Sequence, residues 1–494
     1  MTIPQPRISN TRRHAAVSLL ACSTTILLLL LWDRRILPSP DRGTPLSFTP
    51  PLSSSGVPAA AEPLHYQQQQ EQQQLLHQPT SPNSIDLSTP HAPFIPHPLS
   101  HLCAELTSPL PHLTFLCDNN SGGPGNIRNY ILTCIRYALA SGARSLVVPR
   151  IRTRSPSDPA NLFAEHQGLD YMFDAAHFRE ALGTACPGMR VYARVEDVPG
   201  VVSRARERSG GSIERTIERI TPKHFGGSRT GCDARDPNRH TDRFGAAFRS
   251  WLHASAAERG WADNTPRLIR LSWGVLWDWP VYRDGPELAA TFGGLLKIRP
   301  DILELADAVV ASMRNLAAST PANEAVAGQA FLGVHLRTEA DALSAWPSYE
   351  NQTKAYLREA ASQGYEGRVA YLASGSSAET ERFQKDAMAA LQLDVRSKHG
   401  LLAGDAERLG RLEALSWDQQ ALVDFAVLLS CDYFVGVSPS SFSINVALKR
   451  HLRQEGLYTR PWKVGGRGDG RSWLVGRYDR YWDDWLFMFD GMWA

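Results

Sequence analysis

The chain has 494 residues, and its 52 Lys and Arg against 50 Asp and Glu give a formal net charge of +2. This near-neutral balance excludes a protein that binds nucleic acid through a strongly basic surface. Of the 33 prolines, 13 lie between residues 36 and 100, which predicts a region that does not fold. The rest of the chain is long enough for two ordinary domains, so a small disulfide scaffold is also excluded.

The amino-terminal region carries an uncharged apolar run of 18 residues, Ala15–Trp32, with arginines on both sides. Its length lies between that of a membrane-spanning helix and that of the apolar part of a secretory signal peptide. Because no small-residue cleavage site follows, we expect an uncleaved signal anchor at 15–32 and a cytoplasmic tail at 1–14. This predicts a single-pass type II membrane protein that faces the lumen of the Golgi or the ER.

Residues 33–105 are expected to form a disordered stem. They contain the proline-rich stretch and the tract Gln67–Gln74, in which seven glutamines are interrupted by Glu71. Such a composition buries too little apolar surface to offset the loss of chain entropy on folding. The stem would hold the folded domains away from the membrane, although an ordinary disordered tail with no spacer role has the same composition.

Seven cysteines are present, and all but Cys22 would lie in the lumen, where disulfides can form. Six cysteines allow 15 connectivities, and the sequence does not choose between them. No pair has the C-x-x-C spacing of a zinc or redox motif, so the cysteines predict no metal site. The sequons at Asn119 and Asn351 are candidate N-glycosylation sites for a chain that enters the secretory pathway.

Short apolar runs alternate with helical patterns from residue 113 onward. The first group contains strands predicted at 113–117, 145–151, 189–192 and 267–272, and a helix predicted at 127–140. Residues 206–243, rich in Gly, Arg and Asp, are predicted to form a long loop or insertion. This group predicts a parallel α/β layer in a first domain over 106–320.

A second group follows residues 317–329, a poorly periodic segment that is a candidate link between domains. Strands are predicted at 331–337, 368–374, 393–397 and 433–437, and helices at 356–361, 378–391, 417–430 and 442–452. Repeated strand–helix units predict a doubly wound sheet that binds ligands at the carboxyl ends of its strands. With a second domain over 321–494, the two domains would face each other across a cleft.

Two motifs lie where parallel strands are expected to end. In Ser121–Arg128, of sequence SGGPGNIR, glycines let the backbone approach a ligand and the helix start favours an anion, or the glycines merely turn the chain. In the other motif, His335 and Arg337 are two residues apart and so point to the same face of a strand. Arg337 could fork onto phosphate oxygens, or it could form an ion pair with Glu339 or Asp341.

Two further candidates lie on either side of the strand predicted at 433–437. Ser416 is an apparent N-cap, and Asp424 falls within the apolar stripe of the helix that follows, so it needs either a structural partner or a ligand. After the strand, Ser440 and Ser441 open a helix, where hydroxyls and free amides make a cradle for phosphate. Simple N-capping by serine is an equally sound explanation.

Three features together resemble the protein O-fucosyltransferases and related GDP-fucose-dependent transferases. They are the pattern HxRxxxD at His335, Arg337 and Asp341, the Gly-rich turn that ends in Asn126, and the sequence VDFAVLLSCDYFVGVSPSSF at 423–442. The similarity runs in order over about 113–453. It implies an α/β fold of the GT-B type, in which two Rossmann-like domains face each other across a cleft.

The resemblance also implies roles for individual residues. Arg337 would contact the diphosphate and stabilise the leaving GDP, and Asn126 would face the fucose or the acceptor from the opposite domain; these two are the catalytic candidates. His335 would support the arginine or bind the nucleotide, and Asp424 would help to select guanine or ribose. The predicted nucleotide-sugar-binding residues are Gly125, Asn126, His335, Arg337, Asp424, Ser440, Ser441 and Phe442.

Members of this family are inverting enzymes, so a hydroxyl of a protein or glycan acceptor would attack the anomeric carbon as GDP leaves. The chain has no Asp-x-Asp, as in metal-independent members, so GDP-fucose is expected to bind as donor without a metal or other cofactor. The turn Gly122–Gly125 lacks the carboxylate that some members offer as a base. Asp118 is the nearest carboxylate, and Glu339 and Asp341 are alternatives, so the base is unassigned.

Three tryptophans, Trp273, Trp277 and Trp279, could stack on a sugar or line an acceptor groove, or they could belong to the core. The sequence leaves two rivals to an active fucosyltransferase. One is a catalytically inactive lectin-like or scaffold protein with the same fold, and the other is a transferase that uses another nucleotide sugar. The acceptor itself has no readable sequence code.

Overall fold

A computed structural model describes residues 85–106, 109–158, 160–225, 241–262, 264–320, 330–339, 342, 346–362, 365, 367–438, 440–453, 471–476, 488 and 491–494. Within these ranges no helix is long and apolar enough to cross a membrane. The predicted tail and anchor, and the stem up to residue 84, lie outside the described residues, so they stay predictions.

The amino-terminal half is built on a parallel sheet of five strands. The strands of this half are β1 (Leu110–Leu116), β2 (Ala143–Val147), β3 (Ile151–Arg152), β4 (His166–Gln167), β5 (Arg190–Tyr192), β6 (Ile217–Ile220) and β7 (Arg267–Leu271), of which five form the sheet. The sheet order is β5-β2-β1-β7-β6, while β3 and β4 form a separate antiparallel ribbon. Its helices are α1 (His97–Ala104), α2 (Pro124–Ser141), α3 (Ala175–Ala185), α4 (Val201–Ser209), α5 (Thr241–Glu258), α6 (Pro286–Thr291) and α7 (Pro300–Ser319).

The carboxyl-terminal half contains a second parallel sheet, of order β10-β9-β8-β11-β12. Its strands are β8 (Leu332–His335), β9 (Val369–Ala373), β10 (Asp394–Arg396), β11 (Tyr433–Val437) and β12 (Ser472–Val475). Its helices are α8 (Tyr349–Ser362), α9 (Ser377–Leu391), α10 (Lys398–Leu402), α11 (Ala406–Glu413), α12 (Trp417–Ser430) and α13 (Ser441–His451). Every residue of β8 and β9 is buried, as expected for parallel strands covered by helices on both faces. The predicted α/β class with two parallel sheets is confirmed.

Local sequence explains where the helices around the cleft begin and end. Helix α2 starts at Pro124, whose fixed φ suits a first helical turn, and it ends at Gly142, whose φ of 87° is left-handed. Helix α12 begins after Ser416, which forms the predicted capping box with Gln419. The capping box of α12 lies within one turn of the helix start, which is why the sequence could predict it, whereas α2 begins three residues before the predicted start at 127.

The long loop predicted at 206–243 is wrong in part. Its first residues complete α4, residues 217–220 form strand β6 at the edge of the first sheet, and α5 begins at Thr241. Strand β6 has the sequence IERI and buries only its last residue, so it lacks the apolar run that marks the central strands. Residues 226–240 lie outside the described part of the chain.

The stem predicted to reach residue 105 is also wrong in its last part, because residues 85–106 belong to the folded unit. Leu99 and Cys103 of α1 are buried, and Cys103 forms a disulfide with Cys186. Nε2 of His91 lies 2.9 Å from Oδ1 of Asp307. This short helix was not predicted because the proline-rich composition of the whole region is typical of disorder. Proline is nevertheless tolerated in the first turn of a helix.

Two disulfides resolve part of the cysteine pairing that the sequence left open. They join Cys103 to Cys186 and Cys117 to Cys134, while Cys431 is free and buried. The second bond ties the residue after β1 to the middle of α2. It therefore closes a loop that contains the Gly-rich turn.

The two halves are interlocked, so the predicted boundary at 320 does not separate independent bodies. Helix α7, at the end of the first half, packs along α12 of the second half. In return, residues 491–494 are buried in the first half, where the backbone N of Trp493 donates to Oδ1 of Asn129 over 3.0 Å.

Candidate active site

A cavity of about 880 Å³ opens between the two halves, next to the carboxyl ends of strands from both sheets. The first half supplies the Gly-rich turn, Arg154 and Trp273, and the second half supplies the loops after its strands. The cavity is lined by every residue that the sequence predicted to bind nucleotide sugar: Gly125, Asn126, His335, Arg337, Asp424, Ser440, Ser441 and Phe442. Residues far apart in the chain are thus brought to one place.

Two helices begin at the same point of this cleft, one from each half. A Cβ atom at position 125 would lie 2.9 Å from the backbone C and O of Ser441 and 3.1 Å from the backbone N of Phe442. The amino-terminal ends of α2 and α13 are therefore in contact, and a helix start carries a partial positive charge and free N–H groups. Together they make a site suited to an anion.

Arg337 follows strand β8, and hydrogen bonds from its backbone to the side chain of Gln352 fix its position. Its N–H donates to Oε1 of Gln352 over 3.0 Å, and its carbonyl accepts from Nε2 of Gln352 over 2.7 Å. The guanidinium pairs with Glu339 and lies 5.5 Å from the ring centre of Trp346. The ion pair with Glu339 that the sequence allowed is therefore present, and Asp341 lies outside the described residues.

His335 is a buried, uncharged component of the cleft. Its Nδ1 lies 2.6 Å from Oγ of Ser443, and its ring centre lies 4.5 Å from that of Phe442. Burial lowers the pKa of His335 to about 4, so the ring is neutral at neutral pH. Ser443 also accepts from the backbone N of Val437 over 3.2 Å, and sequence reasoning missed it because a serine inside a helix has no distinctive signal.

Asp424 has both of its carboxylate oxygens engaged. Oδ2 accepts from Nζ of Lys398 over 2.7 Å, and Oδ1 accepts from the hydroxyl of Tyr371. The structural partner that a buried carboxylate requires is thus Lys398, which the sequence analysis did not single out. Its position directly after β10, at a strand's carboxyl end, was the available signal.

Ser440 caps α13, since its side chain accepts from the backbone N of Ser443. This confirms the capping explanation that the sequence offered for this serine. Among the described residues, the buried polar atoms without a hydrogen-bond partner include Oδ1 of Asn126 and Oγ of Ser438. Asn126 lines the cleft, so its buried, unsatisfied oxygen is a candidate acceptor for a hydroxyl of a ligand.

A buried ion pair that no sequence pattern predicts joins the halves at the edge of the cleft. Nε of Arg154 donates to Oδ1 of Asp418 over 3.0 Å, and the two side chains are 7% and 1% exposed. The guanidinium also lies 4.6 Å from the ring centre of Trp417. This contact fixes the first turn of α12 to the first half.

Two of the three carboxylates considered as a base, Glu339 and Asp118, are committed to other groups, and the third, Asp341, lies outside the described residues. Glu339 binds Arg337 and accepts from the backbone N of Gly375 over 3.0 Å. Asp118 accepts from Nε and Nη2 of Arg270 over 2.7 Å each. The base remains unassigned by geometry.

The three tryptophans have different environments. Trp273 is 41% exposed and lines the cleft, as does Trp277, although Trp277 is buried. Trp279 belongs to the core, where its ring packs edge-on against Tyr137 and its Nε1 donates to Oδ2 of Asp284 over 2.6 Å. The acceptor-groove hypothesis is therefore wrong for Trp279 and stays a prediction for the other two.

The two predicted N-glycosylation sites also lie in different environments. Asn119 donates from Nδ2 to the carbonyl of Leu271 over 3.1 Å, and Ser121 of its sequon is buried, so this site is poorly suited to a glycan. Asn351 is exposed in the first turn of α8 and stays a predicted site. Within the described ranges, no group of three or more His, Cys, Asp or Glu is arranged to hold a metal ion.

The chain belongs to the GDP-fucose protein O-fucosyltransferase family, whose model matches residues 113–453. Among solved structures, POFUT1 in complex with GDP is 14% identical, with a TM-score of 0.39 over 74% of this chain and 98% of that chain. POFUT1 in complex with GDP-fucose is 13% identical, with a TM-score of 0.38 over 73% and 97%.

A mutant of Arabidopsis thaliana FUT1 in complex with GDP is 10% identical, with a TM-score of 0.31 over 71% of each chain. Comparison with curated protein sequences finds no match. Family membership therefore rests on the sequence match over most of the folded region.

Proposed function

We propose that this protein transfers fucose from GDP-fucose to a hydroxyl group of a protein or glycan acceptor, with inversion at the anomeric carbon. The observation that carries the proposal is the meeting of two helix starts, at Gly125 and Ser441, in a cleft that also contains Arg337. This is a site for a compact anion with several oxygen atoms, as a diphosphate is. Family membership supports GDP-fucose as its source.

In the proposed reaction, the acceptor oxygen forms a bond to the anomeric carbon while the bond from that carbon to the β-phosphate oxygen breaks. The electron pair leaves with GDP, and the hydroxyl proton passes to a base that is unassigned. Arg337 and the two helix starts stabilise the charge that develops on the diphosphate. Asn126 accepts a hydrogen bond from a hydroxyl of the sugar or the acceptor, and no metal or cofactor is invoked.

We also propose that residues 15–32 anchor the enzyme in the Golgi or ER membrane, with the folded part in the lumen. The two disulfides support this placement, because such bonds form and persist in oxidising compartments. Treatment of intact vesicles with a protease tests it. The folded part should be protected until detergent is added, and digestion without detergent would contradict the proposed orientation.

The nucleotide preference is tested by thermal unfolding with GDP, GDP-fucose and UDP. A ligand that binds only the folded state raises the melting temperature, so GDP and GDP-fucose should raise it and UDP should not. Release of GDP from GDP-fucose, measured with candidate acceptors, then separates an enzyme from an inactive binding protein. A shift with UDP alone would contradict the GDP assignment, and binding without turnover would favour the scaffold rival that the carboxylate-free turn allows.

The contact between the two helix starts gives a sharper test, Gly125→Ala. A Cβ atom there lies under 3.0 Å from backbone that cannot rotate away, so α2 and α13 must separate. We expect the affinity for GDP, measured by calorimetry, to fall by about 10-fold, because small displacements of binding groups are costly.

The matched control is Gly183→Ala, in the exposed interior of α3, where a new Cβ meets no atom within 4 Å. That variant should gain about 0.5 to 1 kcal/mol of stability and keep its GDP affinity. Unchanged GDP affinity in Gly125→Ala would show that the helix contact does not shape the nucleotide site.

A further inference from the structure

A second contact between α2 and α13 lies one helical turn behind the proposed diphosphate site. Nη1 of Arg128, in α2, donates to Oδ1 of Asn445, in α13, over 3.5 Å. The same Nη1 donates to the carbonyl of Trp493 over 2.8 Å, and Nδ2 of Asn445 donates to that carbonyl over 2.9 Å. One carbonyl oxygen is therefore shared by a side chain from each half.

The segment that provides this carbonyl is held firmly. Trp493 is completely buried, and its Nε1 donates to Oγ1 of Thr133 over 3.2 Å. Nδ2 of Asn129 donates to the carbonyl of Gly491 over 2.7 Å. Arg128 is 9% exposed and Asn445 is 1% exposed, so water competes little for these bonds.

Arg128, Asn445 and the carbonyl of Trp493 form a junction between the halves. This junction lies close to both helix starts. Arg128 is three residues after Gly125, and Asn445 is four residues after Ser441, so each lies about one turn along its helix. A change at the junction is therefore expected to alter the spacing of the two helix starts or to bend one of the first turns. No atom of the junction needs to touch a ligand to have this effect.

We propose that Arg128 and Asn445, joined through the carbonyl of Trp493, are positioning residues that set the spacing of the two helix starts and thereby the affinity for the diphosphate of the donor. This inference rests on the proposed function of the cleft. It assigns the buried residues 491–494 a role in substrate binding besides their contribution to the core.

The test compares GDP with guanosine, which lacks the diphosphate. In Asn445→Leu, and independently in Arg128→Lys, GDP affinity should fall by about 10-fold while guanosine affinity changes less than about 2-fold. A merely structural role would lower the melting temperature and leave both affinities of the folded protein unchanged. An equal loss for both ligands, or no loss for GDP, would overturn the proposal.

Two further measurements distinguish failure of the positioning role from failure of the proposed function. Hydrogen exchange of the amides in the first turns of α2 and α13 should accelerate in both variants without any nucleotide, and unchanged exchange would overturn the positioning role. Failure of the wild type to bind GDP would instead refute the proposed function. The control is Ser255→Ala, a buried site remote from the cleft, where Oγ accepts from Nη2 of Arg267 over 3.0 Å.

Discussion

Replacing Arg337 by alanine is expected to lower the turnover of GDP-fucose by about 100- to 1,000-fold, the usual cost of removing one donor aimed at developing charge. The guanidinium lines the cleft and pairs with Glu339, while the backbone of Arg337 is held by hydrogen bonds with the side chain of Gln352. Release of GDP under saturating donor measures the effect on kcat. The loss should appear in kcat as well as in KM, because the charge on the leaving group is greatest in the transition state.

The control for this variant is Arg358→Ala, which removes a guanidinium that is 56% exposed on α8 and pairs with Glu359. It should keep nearly full activity. Arg337→Lys should recover only part of the loss, since an ammonium group cannot fork onto two phosphate oxygens. An Arg337→Ala enzyme that retains more than about a tenth of its turnover would exclude this arginine as the main stabilising group.

The second large effect is expected on stability, from Asp418→Ala. Removing this carboxylate deletes the buried ion pair that Arg154 makes with Asp418 between the halves. Breaking a buried pair by deleting one partner typically costs about 3 to 5 kcal/mol, and denaturant unfolding would measure the loss.

The double variant Arg154→Met, Asp418→Leu completes a thermodynamic cycle. It buries no unpaired charge, so we expect it to recover most of the stability that Asp418→Ala loses. A single variant no less stable than the wild type, or a double variant no better than the single one, would show that the buried charge is not what makes Asp418 important.

The motifs of the site were predictable because each lies at a place that a short sequence pattern marks. Arg337 follows an apolar strand, Ser440 precedes a helix, and the Gly-rich turn lies between a strand and a helix. The rule that ligands bind at the carboxyl ends of parallel strands then places them together. In the structure these residues line one cleft.

The partners of these residues were not predictable, because they depend on tertiary contacts with no local signal. Lys398 is 26 residues from Asp424, and Asp418 is 264 residues from Arg154. Neither spacing corresponds to a helix or strand period. The edge strand β12 and helix α1 were missed for a related reason, since short elements hold their conformation through packing more than through their own pattern.

The ion pairs of the cleft have a consequence for how a nucleotide arrives. Arg337, Lys398 and Arg154 each have a carboxylate partner, in Glu339, Asp424 and Asp418. Because these three cationic side chains are paired, the described residues of the cleft create only a weak electric field in the surrounding solvent. The whole chain also has a net charge of only +2. We therefore expect no long-range electrostatic steering, so that capture of the donor depends on hydrogen bonds formed at contact and changes little with ionic strength.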